Sequence, residues 1–220
     1  MNTVWVFGDQ LNRNIGALQA AQPNTHRVLI IESSGKIASR PWHIQRAHFL
    51  ITSMRRFALA LEQEGFQVDY RKSATMRQGV ADHIAEFSPT HIDVTEPNSY
   101  TARQLVSSLG IQTTASNQFL CHPTDFAKFS EGKKSMKMED FYRWQRKRLS
   151  VLMDGDAPVA GRWNFDEDNR QPPPKTDHDR WPVPESVPLD ELDQQVLADV
   201  APHTWGAAPT GLWATSRSGA

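Results

Sequence analysis

The chain has 220 residues, 24 basic against 25 acidic, with 39% hydrophobic and 22% charged side chains and a formal net charge of -1. That is enough for one sizeable domain, or a domain with an appendage, and it excludes a globally basic nucleic-acid coat. No stretch approaches the roughly 20 apolar residues of a membrane span, Val4 to Phe7 is too short and lacks the basic flank of a signal peptide, and the lone Cys121 excludes an intrachain disulfide or a thiolate metal cage, so a cytoplasmic protein is expected.

In chain order, Val4 to Phe7 predicts a first strand running into the turn Gly8-Asp9-Gln10-Leu11. Arg27 to Glu32 predicts a second, and its continuous Val28, Leu29, Ile30 and Ile31 are those of a strand buried on both faces. Ala47, Leu50, Ile51, Met54, Phe57, Ala58 and Leu61 then fall on one helix face, closed by Gly65. Val68 to Lys72 is the third strand, Met76 to Phe87 a helix followed by Pro89, and His91 to Glu96 the fourth strand. Ser99 to Leu109, with Gly110 after it, predicts another helix, and Gln112 to Ala115 a last strand.

Strands separated by helices need crossover connections, which implies parallel pairing. The expected fold class is therefore α/β, a doubly wound parallel five-stranded sheet with helices on both faces. Nine of the fourteen prolines fall from Pro158 onward, including Pro172, Pro173 and Pro174. Proline cannot donate to a helix or a sheet ladder, so the packed domain is expected to end near residue 152, with a Pro-rich extended tail after it.

Doubly wound sheets bind ligands beyond the carboxyl ends of their strands. That edge holds Gly8-Asp9-Gln10, Glu32-Ser33 and Glu96-Pro97. Gly8 permits close backbone approach, and Asp9 and Gln10 offer an acceptor and an amide, although Gly-Asp is also an ordinary turn. Glu32 and Glu96 end strands where a carboxylate can accept ring N-H or hydroxyl hydrogen bonds, or simply be solvated. His43, Gln45 and Arg46 open the long helix, a natural anion or carbonyl-oxygen site or else a polar outer face.

There is no Gly-x-Gly-x-x-Gly, no Walker sequence, no His-Glu-x-x-His and no Ser/His/Asp signature. Neither a phosphate-dominated ligand, nor a metal site, nor a catalytic nucleophile is expected. Lys128 to Arg148 carries eight basic residues against three acidic ones, interleaved with Phe129, Phe141, Tyr142 and Trp144. Its Lys133, Lys134, Lys137, Arg143, Arg146, Lys147 and Arg148 can track a DNA backbone, or the stretch is a solvated helix with its aromatics turned to a core.

Longer strings add to this reading. Val6-Phe7-Gly8-Asp9-Gln10-Leu11, His43-Ile44-Gln45-Arg46, Ser53-Met54-Arg55-Arg56-Phe57, Val94-Thr95-Glu96-Pro97, Phe119-Leu120-Cys121, Met138-Glu139-Asp140-Phe141-Tyr142-Arg143 and Gly161-Arg162-Trp163-Asn164-Phe165-Asp166 follow one another in that order. The ordered set resembles the amino-terminal region of the deoxyribodipyrimidine photolyase-related proteins, the iron-sulfur bacterial cryptochromes and (6-4) photolyases, over about residues 3 to 175. The resemblance implies an antenna domain over 1 to 152 that binds a ribityllumazine, followed over 153 to 220 by a linker and the first residues of a helical domain. In the family that helical domain holds FAD and a four-cysteine iron-sulfur cluster and carries the light-driven repair chemistry. One cysteine cannot hold that cluster, so FAD, the cluster and lyase activity are expected to lie outside this chain.

The positions matching the family's strand-edge pocket are Gly8, Asp9, Gln10, Leu11, Ile31, Glu32, His43 and Arg46, with Glu96 added by geometry. Backbone contacts are expected from Gly8 to Leu11, ring hydrogen bonds from Glu32, and polar cover from His43 and Arg46. A freestanding Rossmann-like module that binds a nucleotide or flavin-like ring is the alternative.

Overall fold

The computed structural model describes residues 1–170, 172, 186–209 and 212–213. They form two compact units, one of residues 1–118 with the chain from 184 onward, the other of residues 119–183.

The first unit is built on five strands, β1 (Asn2–Val6), β2 (His26–Ser33), β4 (Gln67–Ser73), β5 (Ile92–Thr95) and β6 (Gln112–Thr114), in the order β4-β2-β1-β5-β6. Every neighbouring pair is parallel, with Val4 opposite Val28 and Asp93, and Ile30 opposite Tyr70. This is the expected α/β sheet. The side-chain alternation of β1 and β2 decides how its faces are covered. Val4, Val6, Val28 and Ile30 meet α1 (Gly16–Ala20) and the twenty-residue α3 (Ile44–Gln63), whose Ile51, Met54, Phe57, Ala58 and Leu61 form the predicted apolar face. Trp5, Phe7, Leu29 and Ile31 point the other way, against Val80 of α4 (Met76–Phe87) and Val106 of α5 (Tyr100–Ser108). A sheet buried on both faces explains the unbroken apolar run at 28–31.

Two short elements bridge β2 and α3. They are α2 (Ser34–Ala38), capped by the Ser33 hydroxyl, and β3 (Trp42–His43).

The second unit contains α6 (Pro123–Ser130), α7 (Met138–Leu149), the hairpin of β7 (Met153–Asp154) with β8 (Ala157–Pro158), and α8 (Asp166–Asn169). His122 caps α6 in a reciprocal arrangement with Asp125, and Pro123 occupies the first turn, where its missing N-H costs nothing. Phe126, Phe129, Phe141 and Trp144 pack with ring centroids 5.2–6.1 Å apart. Phe129, Phe141 and Trp144 of the basic stretch therefore cluster with Phe126, while Tyr142 is exposed.

Beyond the second unit lie β9 (Ser186–Val187), α9 (Glu191–Val200), β10 (Thr204–Trp205) and β11 (Leu212–Trp213). The expected extended tail needs correction here, because Glu191–Val200 is a capped helix packed into the core of the first unit. Asp190 and Asp193 cap it reciprocally, and Asp193, Val196 and Val200 share its buried face against α3. Burying two valines contributes about 1.5–3 kcal/mol each, and the ion pairs of Arg56 to Asp190 and Asp193 add to the docking. After α9, β10 pairs with β3, placing Trp205 beside His43. The proline run at 173–174 and the prolines at 182 and 184 lie outside the described residues.

Among the described residues no helix is long and apolar enough to cross a membrane.

Candidate functional site at the carboxyl edge of the sheet

The strand order reverses between β1 and β5, so the predicted corner stands at the switch point. Several of its groups are engaged by the protein's own contacts. Gln10 is buried and donates from Nε2 to the carbonyls of Thr95 (3.3 Å) and Glu96 (3.0 Å), tying the turn after β1 to the end of β5. The Thr95 hydroxyl accepts from the Ala17 N-H at 2.9 Å, and a Cβ on Gly16 would meet it at 2.2 Å, so α1 is seated directly on that strand end. Gly8 also has a structural reason. A Cβ there would lie 2.9 Å from Met54 Sδ and 3.2 Å from Leu50 Cδ1, so its close approach is to α3. Asp9 accepts from Asn98 Nδ2 at 3.0 Å, and Leu11 packs against the α3-side core.

Glu32 closes β2 and is nearly buried. Arg55 of α3 grips it through two hydrogen bonds, Nε to Oε2 at 3.0 Å and Nη2 to Oε1 at 2.9 Å. Tyr70 of β4 adds a third, its hydroxyl donating to Oε2 at 2.6 Å. Arg55 continues to Asp199 of α9 at 2.6 Å, and Lys72 of β4 reaches the same carboxylate oxygen at 2.8 Å. The network alternates in sign and stays close to neutral.

Its electrostatics follow from burial and these contacts. Burial, and then the hydrogen bond to Glu32, push the Tyr70 phenol far above its ordinary range, so it stays a donor. Burial opposes charge on Arg55, but the hydrogen bonds to Glu32 and Asp199 outweigh it and raise its pKa. Hydrogen bonds from Lys72 and Arg55 hold Asp199 below the usual carboxylate range.

Beside this network a partly open pocket of about 380 Å³ is lined by Glu32, Ser34, Ile37, Lys72, Ser73, Ala74, Asp199, Val200 and His203. Its volume falls within the ~300–1,000 Å³ of small-molecule sites. Ile37, Ala74 and Val200 supply apolar wall, while Ser34, Lys72, Asp199 and His203 supply polar groups. Of the nine predicted positions, Glu32 alone lines it. Ile31 is buried on the opposite, α4-side face, against Gly79. His43 caps α3, with Nδ1 accepting from the Gln45 N-H, and lies edge-on to Trp205 at 4.8 Å; Arg46 lies over Trp42 at 4.6 Å. Glu96 lines a separate pocket of about 470 Å³ beside α5, 3.7 Å from Arg103.

Sequence reasoning missed Arg55, Tyr70, Lys72, Asp199 and His203. Arg55 had a visible signal, a charged residue following Met54 on the apolar side of α3. The others become neighbours only through pairings across the fold.

The second unit corrects one part of the basic stretch. Arg146 is buried, donating to the carbonyls of Val151, Leu152 and Trp163, so it is an internal tie and not a surface cation. Arg143 pairs with Glu139, and Arg148 lies 3.4 Å from Asp125. Lys133, Lys134, Lys137 and Lys147 are exposed.

A two-sided parallel sheet with a pocket beyond its strand ends defines an α/β domain of the doubly wound class. The family model described as deoxyribodipyrimidine photo-lyase-related protein matches residues 4–211, and the chain belongs to that family. It is 33% identical over 181 residues to a (6-4) photolyase of Agrobacterium fabrum, a match covering 77% of this chain and 36% of that protein. The chain thus spans about a third of the length of that relative. It is also 23% identical over 134 residues to an uncharacterized protein of Acanthamoeba polyphaga mimivirus, covering 56% of this chain and 68% of that one.

Proposed function

We propose that the first unit is the antenna-binding part of a photolyase-related protein and that it holds a ribityllumazine in the pocket at the ends of β2 and β4. The observation that carries this reading is the pocket itself, which lies where parallel strands end and is lined by Glu32, one of the eight positions that the family resemblance implies. An antenna must be held rigidly and shielded from water, and its ring would supply the visible absorption. Ile37, Ala74 and Val200 offer an apolar wall to a fused ring, and Ser34, Lys72, Asp199 and His203 offer partners to a polyol chain. Glu32 acts through its neighbours in this reading. With its carboxylate already accepting three hydrogen bonds, it fixes Arg55 and Tyr70 and sets the position of the pocket floor.

The balance of charge supports an unphosphorylated ligand. Glu32 and Asp199 face Lys72 and Arg55, leaving little net positive field for a phosphate, and among the described residues no glycine-rich phosphate loop precedes a helix. Mixing the full chain with ribityllumazine should produce a shifted visible absorption band, and FMN should bind at least about tenfold more weakly. A chain that leaves the ribityllumazine spectrum unchanged but binds a nucleotide would favour the freestanding nucleotide module.

Exposed lysines favour a second role for the other unit. Lys133, Lys134 and Lys137 stand on the α6–α7 connection, and no ion pair to them occurs among the described residues. Three such cations can contact phosphates of a DNA backbone. Binding should then be salt-sensitive, and weakened when all three are changed to Glu.

A further inference from the structure

The pocket is not made by the amino-terminal strands alone. Asp199, Val200 and His203 form one of its walls, and they come from α9 and the turn after it, reached in sequence only after the whole second unit. Val200 lines the pocket and is also buried against α3. Asp199 Oδ2 accepts from Arg55 of α3 and from Lys72 of β4, so one carboxylate ties α9 to both elements at the pocket. Arg56 adds ties to Asp190 at 2.9 Å and Asp193 at 3.0 Å.

The α3–α9 contact is imperfect in a telling way. His48 Nε2, Thr52 Oγ1, Arg56 Nη1 and Asp193 Oδ1 are buried there without a hydrogen-bond partner among the described residues. His48 Nε2 and Asp193 Oδ1 are 3.4 Å apart, an ion-pair distance without hydrogen-bond geometry. Buried polar groups left unpaired oppose the docking that buries them, and they regain water when the helix lifts. Val196, Val200 and the Arg56–Asp193 ion pair favour docking, and the unpaired atoms beside them offset part of it.

We propose that α9 is a working wall of the ligand site: contacts to Asp199, Val200 and His203 exist only with α9 docked, so ligand binding and docking of α9 on α3 stabilise each other. This rests on the pocket reading above and extends it to residues that neither the resemblance nor the strand-edge rule indicates. The coupling is reciprocal by linkage. A bound ligand holds α9 down, and loosening α9 weakens the ligand.

The test is hydrogen exchange on the full chain with and without saturating ribityllumazine, alongside a titration of Val196→Asp. Amides of 191–200 should exchange about tenfold or more slowly with ligand, while those of α5, on the opposite face of the sheet, stay unchanged. Val196→Asp places a carboxylate at a site with no solvent exposure, undocks α9, and should weaken ribityllumazine binding at least about tenfold with the parallel sheet retained. If that variant does not fold, the wild-type exchange comparison decides. Ribityllumazine bound by its absorption shift, with α9 exchange unchanged or Val196→Asp binding as well as wild type, would overturn the coupling and leave the pocket reading standing. No absorption shift with the wild-type chain would remove both.

Discussion

Replacing Arg55 by Ala asks how much of the fold depends on the ion-pair network at the end of β2. Its side chain is 11% exposed and that of Glu32 8%, so the pair is largely withdrawn from water. At an effective dielectric of about 20, two charges about 4 Å apart attract by about 4 kcal/mol, partly offset by desolvation. In Arg55→Ala the attraction disappears while the desolvated carboxylate remains, with Tyr70 its sole partner in the network. Breaking one side of a buried pair costs about 3–5 kcal/mol. The contact to Asp199, whose side chain is 42% exposed, adds less than about 1 kcal/mol. A loss of about 3–4 kcal/mol is expected, read as a fall in the urea midpoint followed by far-UV circular dichroism. Adding Glu32→Gln to Arg55→Ala should recover more than half of it, because the uncompensated charge goes. A loss below about 1 kcal/mol, or no recovery in the double variant, would refute the claim that this is a buried, mutually dependent pair.

His48, buried between α3 and α9, gives a pH dependence. Burial, helped by Arg56 and opposed by Asp193, lowers its pKa below the ordinary 6.5. The unfolded chain therefore binds the proton more tightly, so this contribution to stability is full above about pH 6.5 and is lost as pH falls through the folded value. Urea midpoints should drop between pH 7 and pH 5 in the wild type and drop less in His48→Gln; equal or steeper slopes in the variant would contradict this. Gly16→Ala should be severe, about 3 kcal/mol or more, since the added Cβ meets the Thr95 side chain at 2.2 Å from a backbone at φ +47°. A thermal midpoint within 2–3 °C of wild type, about the shift expected from 1 kcal/mol, would count against α1 being seated on β5. Changing Lys133, Lys134 and Lys137 together to Glu should flatten the salt dependence of duplex binding by about three counterions, and an unchanged slope removes the nucleic-acid role.

The sheet was legible because its signal is local. Val28 to Ile31 form an unbroken apolar run, the α3 face repeats every three to four residues from Ala47 to Leu61, and Gly65 adopts the positive φ of 90° that ends such a helix. Helix α9 was equally local, with Asp190 and Asp193 as reciprocal caps and Leu192, Val196 and Val200 at helical spacing. The surrounding prolines obscured it, because composition over a long window outweighed periodicity over ten residues. The site was less legible. Gly8 and Gln10 are demanded at the switch point for packing on α3 and for closing onto β5, and packing selects the same residue types that binding does. Glu32 was found as a strand-end acid, but its partners Arg55, Tyr70 and Asp199 lie 23, 38 and 167 residues away in sequence and meet it, directly or through Arg55, only in the fold. The basic stretch was read from its charge and its interleaved aromatics, and neither reveals that Arg146 faces inward to three carbonyls.

Two blocking variants test directly where the proposed ribityllumazine would sit. Ala74 is exposed and lines the pocket at β2 and β4, while Asp9 is exposed at the corner after β1, so Trp at either position fills one location and spares the other. In parallel titrations with ribityllumazine, Ala74→Trp should lose at least about tenfold in affinity and Asp9→Trp should bind as the wild type does. The reverse pattern would put ribityllumazine at the Gly8–Leu11 corner and rule out the pocket between β2, β4 and α9.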